Sequence, residues 1–95
     1  MTQHYVAGEL SVLLAQLRAV ATNPVSARGV AGLRREAETL PPTALASVAV
    51  RAMALGDRMC WDSIACGDTV AFDHQAAACA TLREFGVCAG LLEDA

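Results

Sequence analysis

Four cysteines and a histidine, Cys60, Cys66, Cys79, Cys88 and His74, all stand in the second half of the sequence. Thiolates and imidazole are the soft ligands that hold zinc or copper, and a thiol of lowered pKa reacts with oxidants. Either chemistry needs convergence, which one helix supplies at i, i+3 or i, i+4 spacing. Cys60 and Cys66 are six apart and diverge by about 120°; His74 and Cys79 are five apart and diverge by about 140°. No CxxC pair occurs. The spacing therefore favours cysteines used as small apolar core residues. A thiol-based metal or redox sensor is the second reading and a structural disulfide the third.

The remaining polar residues point to no reaction. A general-base histidine needs a carboxylate to orient its ring, and Asp73 points about 100° away from His74 on a shared helix. His74 reads instead as stacked on Trp61. Asp57, Asp62, Asp68 and Asp73 cluster in sequence, and Asp62 with Asp73 could share a divalent cation. Carboxylate-bridged dinuclear bundles also use Glu-x-x-His pairs, and none is present. The aspartates are read as helix caps and solvated surface. Ser11, Ser26, Ser47 and Ser63 lack a Gly-x-Ser-x-Gly context. The absence of lysine removes both Schiff-base and phosphate-loop chemistry. Tyr5, Trp61, Phe72 and Phe85 are too scattered for stacking on bases. The expectation is a protein with no catalytic residue and no cofactor.

Composition sets the frame for these residues. The 95 residues form one domain. At 55% hydrophobic and 18% charged, the chain is far from a disordered composition. Its longest uncharged run, Thr39 to Val50, contains Pro41 and Pro42 and falls short of the roughly 20 residues of a membrane span. A net charge of −3 argues against a general nucleic-acid binder. Arg28, Arg34 and Arg35, after a tight Asn23-Pro24 turn, are the one feature a helix-turn-helix reading could use. Residues 1–38 sum to +1 and residues 39–95 to −4, a division that suits head-to-tail contacts or plain solvated surface. Seven Arg without Lys, and twenty Ala with one Ile, suggest a GC-rich bacterial genome. The N-terminal residues carry no basic stretch, so a cytoplasmic protein with reduced thiols is expected.

Hydrophobic periodicity predicts an all-α, single-domain bundle of four main helices, at about 5–22, 24–39, 42–66 and 69–85. A short turn of helix at 87–92 closes the core. Val6, Leu10, Leu13, Leu14, Leu17, Val20 and Ala21 form one stripe of 3.6-residue period in the first helix. Asn23-Pro24 caps and starts the second. Gly29 and Gly32 within it mark a close approach or a weak helix. Leu40-Pro41-Pro42-Thr43 breaks the chain before the third, which carries one core stripe, Leu45, Val48, Ala52, Leu55 and Met59. A second apolar edge bears Val50, Met53, Trp61 and Ile64. An unbroken helix from Pro42 to Cys66 would be about 37 Å long, against roughly 32 Å for the diameter of a sphere of this size. It is expected to kink at Gly56-Asp57, to protrude, or to lie against a second copy. Gly67-Asp68 ends it and caps the fourth helix, which Gly86 ends.

The short turn makes the last two helices an antiparallel hairpin, with residues level when their numbers sum to about 135. Arg51 should then pair with Glu84. The thiols of Cys60 and Cys79 should be offset by about 6 Å along the axis. Functionally, excess apolar surface suggests a small interaction or assembly protein, a homodimer through Val50, Met53, Trp61 and Ile64, with a further protein as another possible partner. No nucleic-acid or membrane partner is expected. A thiol sensor or a carrier of an apolar ligand are the alternatives.

Overall fold

The computed structural model describes the backbone of residues 2–93 and the side chains of residues 6–93. Four helices carry the fold: α1 (Thr2–Ala19), α2 (Pro24–Thr39), α3 (Leu45–Cys66) and α4 (Thr69–Cys88), with a 3-10 turn at Pro42–Ala44 before α3. Helix α1 packs against α2 and α4, and α3 packs against the same two. The four therefore close a ring around one core, in up-down-up-down order.

Local chemistry fixes where each helix begins and ends. The Asn23 side chain accepts from the Ser26 backbone N–H at 2.8 Å, and Pro24 takes the first helical position of α2. Gly67 adopts the left-handed conformation, φ 76°, and the Gly67 and Asp68 N–H groups return to the Ile64 and Ser63 carbonyls. The Asp68 side chain then caps α4 by accepting from the Ala71 N–H at 3.1 Å. These stops fall where the sequence places them.

Other boundaries move. Helix α1 ends at Ala19, and Val20 and Ala21 follow as a bonded turn. The third helix opens as a 3-10 turn and becomes α-helical only at Leu45. Helix α4 continues through Gly86 to Cys88, and the reversal comes at Gly90, φ 75°, where the Leu91 N–H returns to the Gly86 carbonyl at 2.8 Å. Gly86 is needed for space. A Cβ there would lie 2.4 Å from the Leu92 Cδ1 atom, so Leu92 folds back over the helix only because the side chain is missing.

Helix α3 runs unbroken past Gly56. The molecule accommodates it by elongating, with extents of 43 × 27 × 16 Å in place of a sphere. Gly56 also serves space rather than a bend: a Cβ would lie 2.5 Å from the Cys79 sulfur. Gly29 marks a close approach to α3, with its missing Cβ 3.1 Å from a Leu55 methyl, whereas Gly32 borders open space.

The core is built from Leu10, Leu13, Leu14 and Leu17 of α1, Val30, Leu33 and Ala37 of α2, Leu45, Val48, Ala52, Met53 and Met59 of α3, and Cys79 and Leu82 of α4. Each fully buried leucine contributes about 1.5–3 kcal/mol relative to an exposed one. Within this apolar packing lies one polar side chain with no exposure at all, that of Gln75. Its Oε1 accepts from the Ser63 hydroxyl of α3 at 2.7 Å. Its Nε2 donates to the Val20 carbonyl at 3.0 Å, one of the oxygens left over at the end of α1. One amide on α4 thus joins three helices.

Replacing Gln75 by leucine keeps the volume and strands the Ser63 hydroxyl and the Val20 carbonyl. The expected loss is about 2–4 kcal/mol, read by urea or thermal unfolding. A loss below about 1 kcal/mol would show that water replaces the amide.

Candidate functional site: the outward face of helix α3

The cysteines and His74 do not converge. Among the described residues, no three of His, Cys, Asp and Glu come together as a metal site. Cys66 ends α3, and Cys88, also exposed, ends α4 about 30 Å away along the bundle. His74 and Trp61 are both exposed.

Cys60 and Cys79 correct the sequence expectation. Cys79 is level with Gly56, as the register predicts. Yet Cys60 interacts with it, because residue 60 stands one turn above residue 56 on the same ridge and glycine leaves that turn empty. Burial pushes the Cys79 thiol up to about 12; the Cys60 thiol and the Asp57 carboxylate add to the effect, and Arg83 opposes it. A thiol so raised is protonated at neutral pH and a poor nucleophile.

The charged side chains are also redistributed. Arg51 does not reach Glu84. Its guanidinium makes a two-pronged bond to Glu36 of α2, with Nη2 and Nη1 at 2.8 and 3.0 Å from the carboxylate oxygens. Arg51 lies on the side of α3 that also carries Leu55, the side packed on α2. The guanidinium holds the Glu36 carboxyl below its usual range. Arg34 donates to the Ser11 hydroxyl at 3.0 Å, which itself donates to Glu38 at 2.7 Å, so this arginine is engaged within the bundle.

Two open grooves lie at the end of the bundle where the α1–α2 and α3–α4 turns meet. One, of about 460 Å³, is lined by Thr22, Asn23, Asp62, Ser63, Ala65, Cys66 and Asp68. The other, of about 280 Å³, is lined by Ala19–Thr22, Asp68, Val70, Ala71 and His74. Asp68 is committed to its cap. The first groove contains no basic side chain, and in the second no hydrogen bond links the side chains of Thr22, Asp68 and His74.

What stands out is the surface of α3. Val50, Trp61 and Ile64 are exposed by 56, 69 and 51%. Ala54 and Asp57, also exposed, fill the gaps between them. The spacing 50, 54, 57, 61, 64 is the 4-3-4-3 alternation of a helix–helix seam. It spans about 21 Å. Met53, expected on this edge, belongs to the core at 8% exposure. It is rotated about 60° from Val50 toward the ridge of Gly56, which faces α4.

No protein-family model, no curated protein and no solved structure matches this chain.

Two outcomes follow for the thiols. A thiol reagent applied to the folded protein should label Cys66 and Cys88 quickly and Cys79 only on unfolding; fast labelling mapped to Cys79 would contradict the burial described. Because the Cys79 thiol is raised on folding, its contribution to stability is complete below the ordinary thiol pKa of 9.0 and is lost as pH climbs toward about 12. Unfolding midpoints measured across that interval should fall further for the native chain than for Cys79→Ala.

Proposed function

We propose that this chain is a small non-enzymatic helical assembly protein that acts by pairing with a second copy of itself through the outward face of α3. One observation carries the reading. The longest helix shows water three large apolar side chains, Val50, Trp61 and Ile64, on one row whose seam spacing Ala54 and Asp57 complete, although the core beneath is complete without them. Large apolar side chains gathered on one exposed helix face mark interaction sites, and isologous pairs are the commonest assemblies. Trp61 in this row is of the residue type that dominates binding energy.

The rival readings have less support. The thiol whose pKa is perturbed is raised rather than lowered. The grooves are open to solvent rather than enclosed, and each is edged by the Asp68 carboxylate, unlike the enclosed pockets that hold lipids.

Trp61 is the single tryptophan, so its fluorescence reports its own burial. Emission should shift to the blue as the protein is concentrated, and the native mass should be twice 9.9 kDa. Trp61→Ser, at an exposed position, should leave helix content unchanged and return the mass to that of a single chain. A native chain that stays monomeric to millimolar concentration would overturn the reading.

A further inference from the structure

The row on α3 contains one charge, and it stands at the centre: Asp57 is midway between Val50 and Ile64. If a second copy covers the row, as proposed above, this carboxylate leaves water. A desolvated carboxylate without a partner is strongly unfavourable. Its own chain supplies it with no ion pair among the described residues: Arg83 of α4 acts on the same Cys79 thiol as Asp57 but forms no salt bridge with Asp57. Arg51 is held by Glu36. Arg58 adjoins Asp57, but neighbours on a helix diverge and do not face each other. Arg58 forms no ion pair among the described residues. Among the described residues Asp57, Arg58 and Asp62 of α3 are all exposed and form no ion pair, and Asp57 and Arg58 stand side by side without facing each other within one chain.

The orientation of the second helix decides whether they are satisfied. A parallel pair in register stacks Asp57 on Asp57 and Trp61 on Trp61 along the seam. An antiparallel pair whose two-fold axis passes between residues 57 and 58 makes residues level when their numbers sum to 115. Asp57 of each copy then faces Arg58 of the other, twice. Trp61 lies opposite Ala54, whose single methyl leaves room for an indole. We propose that two copies pair α3 against α3 in this antiparallel register, with reciprocal Asp57–Arg58 contacts at the axis. The inference rests on the self-association reading and adds its geometry.

Two charge reversals test it. Asp57→Arg sets cation against cation at both contacts of its own pair, four cations in all, and Arg58→Asp likewise sets four anions there. Each variant alone should dissociate about 100-fold more readily than the native protein, because like charges then meet twice. Mixed in equal amounts, the two variants should form a heterodimer, since opposite charges again face each other at both places. A native mass spectrum resolves the three species by mass. The double variant Asp57→Arg/Arg58→Asp should recover native association. Both positions are exposed, and circular dichroism confirms that each variant is folded. A dimeric native protein whose variants show no preference for the mixed pair, or a double variant as weak as the single ones, would overturn the register while leaving self-association standing. A monomeric native protein would overturn both.

Discussion

The amide of Gln75 joins elements that apolar packing alone would allow to slide. Helix surfaces rich in alanine offer shallow ridges, and shallow ridges hold register weakly. Gln75 supplies direction. Its oxygen accepts from Ser63 on α3 and its nitrogen donates to the Val20 carbonyl in the turn that follows α1. The bonds are directional and buried, so a slip of either helix would leave polar groups stranded. With α3 fixed in this way, its outward face has a defined position, and so do Val50, Trp61 and Ile64. The surface argued to bind a second copy thus depends on a side chain on the far side of the helix.

Helix punctuation was legible from residue types because caps are local. Asn23-Pro24 and Gly67-Asp68 do their work within four residues, using groups adjacent in the chain. Gly86 misleads for a reason that is not local. It answers a leucine six positions later that returns across the helix after Gly90. Gly56 misleads in the same way, being shaped by Cys79 on another element. The elongated outline was also hidden, since a size estimate presumes a sphere and a helix of 22 residues does not fit one.

The candidate surface was legible in part. Periodicity separates an inward stripe from a second apolar edge on α3, and three of the four residues read onto that edge are exposed. Met53 was assigned to the edge because a helical wheel shows which residues are neighbours, and not where a flanking helix stops. Arg51 lay close to the boundary on the opposite side, and the level partner Glu84 was a plausible choice until α2 brought Glu36 nearer. Gln75 escaped notice because one amide among alanines has no periodic signature. Its sign in hindsight is position: Gln75 shares a helical ridge with Cys79 and Leu82.

The slab outline has a consequence for how the molecule opens. With backbone extents of only 16 Å in its thin direction, the core is about one layer of side chains deep. Every helix that buries a leucine also turns a face to water. No inner shell exists to survive when an outer one loosens. Detaching any helix admits solvent to the side chains of the other three, so local and global opening share one free energy. Amide protons in the middle of all four helices should then exchange with solvent at nearly the same protected rate, without the hierarchy of slow and fast segments found in thicker domains.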